Sequence, residues 1–168
     1  VLSVIGLIVL SVIDMSLTVQ ALKNSGSYIV TMLLLIPPIF VLIGLFDVWV
    51  PRETVIKLMG EKSGVKGMAL AFFLGAFSAG PTLAAFPIAL IMMKKGAKYS
   101  NVIFFLMVWS SLKIPIVLFQ VASIGIKFSL IINITMLLVF IIGAYLSEKI
   151  MSKEELSDLY LKAEQPQK

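Results

Sequence analysis

A chain of 168 residues that is 60% hydrophobic and 14% charged lies outside the range of soluble domains, in which about a quarter of residues carry charge. The absence of cysteine and histidine removes disulfides, thiolate chemistry, haem ligation and the usual zinc sites, so no metal and no cofactor is expected. The net charge of +5 in a chain of mean hydropathy +1.05 points to lipid headgroups and orientation in a bilayer, not to nucleic acid.

Several apolar stretches approach the length of a bilayer crossing. The expected fold class is therefore all-α, a polytopic transmembrane helix bundle of four or five spans whose third segment is interrupted or re-entrant. Residues 1–150 form the transmembrane domain in this reading, and 151–168 a charged tail.

Val1 to Ile13 is apolar but too short to span, and no cleavable signal is visible. Either Val1–Leu22 is one helix with Asp14 inside it, or the run ends a span whose true start precedes Val1 and Asp14–Ser27 is a loop. The second reading is preferred, because an unpaired Asp near mid-membrane costs ~2.5–3.5 kcal/mol on insertion scales.

Tyr28 to Val50 reads as a clear span with Pro37-Pro38 inside it, which predicts a kink. Asp47 and Trp49 mark its interfacial end, and Pro51 stops it. Asp47 is either an interfacial carboxylate or the partner of an intramembrane cation. From Pro51 to Lys66, Val55, Ile56, Leu58 and Met59 alternate with charges. That pattern suits a short helix lying on the membrane surface, or a solvated loop with some helix.

The apolar run Gly67–Met93 would rise about 40 Å as one helix, more than the roughly 30 Å of bilayer hydrocarbon. Gly80-Pro81 lies near its middle, where proline removes a backbone hydrogen bond. Broken backbone at membrane depth survives only where protein buries it or where it lines a wet cavity, and in transporters such breaks commonly hold the substrate. Ala71, Gly75 and Ala79, like Ala76, Gly80 and Ala84, recur at four-residue spacing, which lets helices approach closely in lipid. Pro81 is placed to start a new half-helix, with Ser78 or Thr82 near its cap.

Asn101 to about Gly125 is the next span, with Pro115 expected to kink it. Lys113 sits about twelve residues from either end, where an ammonium is expensive and marks a functional site or a buried pair. Ser110, Lys113 and Gln120 share a helix face, with Ser111 beside them. Two readings stand: Lys113 pairs with Asp47 or Asp14 and locks two helices, or it binds an anionic or strongly polar solute together with the free N–H groups of the half-helix at Pro81. Phe128 to Ser147 is the last span, and Glu148 to Lys168 the tail, helical at first and then frayed.

Basic residues constrain orientation. If Gly67–Met93 crosses, eight Lys and Arg share the tail's side against five; if it is a re-entrant hairpin, eleven stand against two. Both arrangements put the tail in the cytoplasm.

The run Gly-Ala-Phe-Ser-Ala-Gly-Pro-Thr-Leu-Ala-Ala-Phe-Pro-Ile-Ala (75–89) followed by Lys-Lys-Gly-Ala (94–97) resembles the signature of predicted permeases of the ArsP/YraQ type, a group that includes organoarsenical efflux permeases. Met59-Gly-Glu-Lys-Ser-Gly64 and Trp109-Ser-Ser-Leu-Lys-Ile-Pro115 are similar to short members. The resemblance covers roughly residues 30–145 and implies a multi-pass protein of a prokaryotic cell membrane. Larger relatives contain two similar halves, so it further implies a homodimer or a paired half-size subunit. Relatives often carry cysteine near the break, where this chain has Ser78, Ala79 and Gly80; trivalent arsenicals are soft and favour thiolates.

The expectation is a permease subunit moving a small polar or anionic solute, bound by Ser78, Gly80, Pro81, Thr82, Ser110, Ser111, Lys113 and Gln120, with Gly75, Pro87, Pro115 and Asp47 in structural roles. No nucleotide-binding motif and no nucleophile–base pair is evident, so an enzyme is not expected. The alternative is a non-transporting membrane scaffold or assembly partner.

Overall fold

The computed structural model describes residues 11, 13–78 and 80–164. Within the first long helix the side chains at 31, 32, 35, 36, 39, 40, 42, 43, 46 and 47 are not among those described. The chain divides into two units, Val1–Leu42 and Ile43–Lys168. Every described element is helical.

Helix α1 (Met15–Trp49) begins in the first unit. Asp14 sets its start: Oδ1 accepts the Ser16 N–H at 2.8 Å, the Ser16 hydroxyl at 2.7 Å and the Leu17 N–H at 3.2 Å. These are donors that a helix start leaves open. The expected loop over Asp14–Ser27 is thereby corrected. Asp14 is a cap rather than an unpaired charge, and helix follows it directly. The helix continues through Pro37 and Pro38.

The second unit holds α2 (Arg52–Met59), α3 (Gly64–Ala76), α4 (Ala85–Lys94), α5 (Tyr99–Ser111), α6 (Ile114–Ile124), α7 (Ile126–Ile150) and α8 (Lys153–Glu164), with 3-10 turns at Glu61–Ser63 and Thr82–Ala84. Its core forms where α3 and α7 pack against α5. Ala71, Phe104, Phe105 and Val108 are buried there. Gly75 makes the α3–α5 contact possible: a Cβ at this position would stand 2.8 Å from Val108 Cγ1 and 3.0 Å from the Phe105 carbonyl oxygen. The small-residue spacing of α3 thus serves close helix approach. Ala79, on the same line, lies outside the described residues.

The interrupted segment returns to the end it left. The Lys98 N–H, just after α4, donates to the Met59 carbonyl, just before α3, at 2.7 Å. Asn101, buried at the start of α5, donates through Nδ2 to the same carbonyl at 2.9 Å and to Ser63 Oγ at 3.0 Å. The Lys98 ammonium stands 3.3 Å from Glu148 and 3.9 Å from Glu61. Glu148 also accepts the Ser100 N–H at 3.1 Å, which caps α5 with a carboxylate from the far end of α7. α3 and α4 therefore form a hairpin.

The tail helix α8 folds back onto this end, against α4. The Tyr160 hydroxyl donates to the Ala97 carbonyl at 2.8 Å. Burial first, and then the charges of Glu61 and Glu148, push its phenol up to about 12.

Among the described residues one helix, α7, is by itself long and apolar enough to cross a bilayer, and a second counts if α5 and α6 are one span bent by 42°. Four or five spans are more than these helices supply among the described residues; breaks shorten the apolar stretches of α3 to α6, whereas α1 runs unbroken. At 1.5 Å per residue, α5 rises about 20 Å from the tail end, α6 about 16 Å further, and α7 returns about 37 Å. The break between α5 and α6 thus falls near the middle of α7.

Candidate functional site

Two interruptions build the site. The first follows α3, where Gly80 takes φ +108°, a left-handed conformation that residues with a Cβ rarely adopt. Pro81 is extended and carries no N–H, and the turn Thr82–Ala84 has no side-chain cap. Ser78 bonds backward, its hydroxyl donating to the Gly75 carbonyl at 2.6 Å. The expected cap of a half-helix by Ser78 or Thr82 is corrected accordingly: Pro81 opens a 3-10 turn and α4 proper starts at Ala85. Pro87 is the third residue of α4, within the first turn, where a missing N–H breaks no helical bond.

The second interruption is at Leu112 and Lys113. The span expected to be kinked at Pro115 is divided outright. Lys113 is extended at φ −63°, ψ 140° and precedes α6, whose second residue is Pro115. A proline has no N–H to bond to the turn it follows but is accepted in the first turn of a helix, so a new helix starts more easily than the old one continues.

The two interruptions meet. The Lys113 ammonium donates to the Gly80 carbonyl at 2.8 Å, joining residues 33 apart in sequence. Lys113 is in no ion pair among the described residues; its partner is a backbone oxygen that the first break leaves without a helical donor. The Asp47 side chain lies outside the described residues, and Asp14 is engaged at the start of α1.

The polar face drawn through Ser110, Lys113 and Gln120 is not kept, because the helix that would carry it ends at Ser111. Ser110 is exposed and its hydroxyl donates to the Met107 carbonyl at 2.8 Å, with Ser111 Oγ 3.1 Å away. Gln120 belongs to a different contact: its Oε1 accepts from Asn133 Nδ2 at 2.7 Å, which ties α6 to α7 across the turn at Gly125. Gly80, Pro81, Thr82 and Lys113 remain around the meeting point. Sequence reasoning missed the buried Asn101–Met59–Ser63 contact that closes the base of the hairpin. Its one local signal was Gly67, where a Cβ would stand 2.5 Å from Asn101 Nδ2.

Residues 17–167 match the family described as predicted permease, of the ArsP type. The chain belongs to that family. Neither the curated proteins nor the solved structures contain a match to it. The family match runs through both breaks, and its general class is a membrane transporter.

In this predicted permease the arrangement has a definite polarity. A lysine ammonium carries three donors, of which the Gly80 carbonyl takes one. The 3-10 turn that opens after Pro81 and the start of α6 bring further N–H groups without helical acceptors. Hydrogen-bond donors and positive charge gather on polar backbone, between helices that are otherwise apolar.

Proposed function

We propose that the chain is a subunit of a secondary permease that moves a small polar or anionic solute, and that the solute passes where the hairpin tip meets the break before α6. The observation that carries this reading is the Lys113–Gly80 contact. It brings an ammonium and two half-helix starts together at mid-length of α7, where irregular backbone is tolerated only against protein or water.

In this reading α3 and α4 re-enter the membrane from the tail side and leave by the same side. The lysines and arginine of 52–66, 94–98 and the tail then stand together, the sharper of the two charge distributions, and a positive excess belongs to the cytoplasm. A second copy, or another half-size subunit, completes the pathway. α6 has no buried residue within this unit, and Leu118 and Phe119 are exposed on it, so it offers a face to a neighbour. With no nucleotide-binding motif, the energy comes from a gradient or from a separate protein.

Reconstitution of the purified chain in vesicles with a panel of small solutes tests the proposal. Wild type should take up or release at least one of them, and Lys113→Ala should abolish that flux while leaving the protein folded. Flux that survives the substitution removes Lys113 from the pathway. One observation favours the scaffold reading: the same contact also satisfies the ammonium inside the chain, as a static staple would. A reconstituted protein inert to every solute, with an unreactive dry centre, favours that alternative.

A further inference from the structure

A slot of about 180 Å³ opens between α2 and α3. Val50 just after α1, Val55, Leu58 and Met59 of α2, and Leu70 and Leu74 of α3 line it. Thr54 adds the one hydroxyl among the described lining residues. Val55 and Met59 are 4% and 3% exposed and form its floor, whereas Leu58 and Leu74 stand 43% and 37% exposed at its rim. The sequence of α2 dictates this arrangement: Thr54, Val55, Leu58 and Met59 share one side of the helix, and Glu53 and Lys57 fall on the opposite side. A space walled in this way offers water almost no hydrogen-bond partners, and apolar cavities of this order stay dry. Its natural occupant is apolar.

The charge above the slot narrows the choice. Lys66, Leu70 and Leu74 follow one another at four-residue spacing along one stripe of α3, each step about 6 Å along the axis. Lys66 is exposed at the tail-side end of that stripe, and Lys62 is exposed in the turn before α3. Among the described residues neither lysine is in an ion pair, and the neighbouring Glu61 stands 3.9 Å from Lys98. A stripe with an ammonium at one end and leucines below it matches a molecule with an anionic head and an apolar tail.

We propose that the slot seats an acyl chain of an anionic membrane lipid, whose phosphate faces Lys66 and Lys62. The chain runs along Leu70 and Leu74 against the floor made by Val55 and Met59. Each lysine beside an anionic headgroup contributes on the scale of a juxtamembrane basic residue. The inference rests on α3 entering the membrane from the tail side, as in the function proposed above. It does not depend on Lys113 or on transport.

Native mass spectrometry of the full chain in detergent tests the site, with phosphatidylglycerol and phosphatidylcholine of equal chain length as probes. One phosphatidylglycerol per chain should be retained, at lower lipid concentration than phosphatidylcholine requires. Lys66→Gln should weaken phosphatidylglycerol binding by about fivefold and leave phosphatidylcholine unchanged. Leu58→Trp should fill the slot and weaken both lipids alike. Equal binding of the two lipids overturns the proposal, as does phosphatidylglycerol binding that Lys66→Gln leaves unchanged. A dimer that Leu58→Trp dissociates also overturns it, because a second copy then occupies the slot. Should Leu58→Trp fail to fold, Lys66→Gln, at an exposed side chain, decides alone. Leu74→Cys in vesicles, treated on both sides with a membrane-impermeant thiol reagent, separates two ways of failing. A modified thiol places α3 outside the membrane and overturns that placement together with the lipid site. An unmodified thiol in a chain that retains no phosphatidylglycerol keeps the placement and overturns the lipid site alone.

Discussion

The Lys113 ammonium lies 2.8 Å from the carbonyl oxygen of Gly80, and each of these residues sits at a break in an apolar helical segment. A cation at one break satisfies an acceptor freed at the other, so the two irregularities stabilise each other. Neither is easily kept alone in a low-dielectric setting, where an unpaired carbonyl or ammonium is costly.

Lys113→Met keeps the length of the side chain and removes its charge. The loss of a hydrogen bond to a charged group should lower thermal stability in detergent by about 1.5–3 kcal/mol. Lys113→Arg keeps the charge and should recover most of that loss. If the site binds solute as proposed, flux should fall in both variants, since a planar guanidinium does not replace a compact ammonium. Parallel melting and flux measurements separate the two roles.

Gly75 lies where α3 crosses α5, with room for no side chain beside Val108 and Phe105. Gly75→Val should overpack the contact and cost about 1–3 kcal/mol. Val108→Ala in the same chain should restore part of that loss by opening space. A thermal melt of the single and double variants checks this, and an additive double variant would show that the two residues are not in contact.

Tyr160 makes the docking of α8 sensitive to alkali. Its phenol holds a proton to about 12 when docked, against 10.0 for an unperturbed tyrosine. Between those values the docked tail binds more protons than the released one. Docking is therefore undiminished below pH 10 and weakens as the pH climbs toward 12. Limited proteolysis of the tail across this range should show release in wild type. Tyr160→Phe should lack this component of the pH dependence and start from weaker docking, having lost the bond to Ala97.

The first break was legible in the residues themselves. Gly80-Pro81 combines a residue suited to left-handed backbone with one that lacks an N–H, and together they end a helix whatever surrounds them. Lys113 was legible as a costly charge, but its place was not. Read on a continuous helix it aligned with Ser110 and Gln120; a break two residues before Pro115 removes that alignment. The partner of Gln120 depends on the turn at Gly125, which folds α6 against α7 and brings Asn133 close. Asp14 shows the same limit at short range. Its cost was reckoned for a charge inside a helix, and as a cap it meets that helix's open donors. The return of α4 to the start of α3 depends on contacts made by Asn101 and Lys98, whose partners are backbone atoms and distant carboxylates that no local pattern displays.

Water access to the meeting point is the most direct test of the central claim. The chain has no cysteine, so Thr82→Cys and Ser110→Cys each introduce a single reporter, and Phe73→Cys on an exposed apolar face of α3 serves as the control. Treatment of intact vesicles with a membrane-impermeant thiol reagent should modify the reporters at 82 and 110 and spare the one at 73, with protection at 82 by any solute that is transported. A reporter at 82 as unreactive as the control at 73 would contradict a solvent-filled junction between the two breaks.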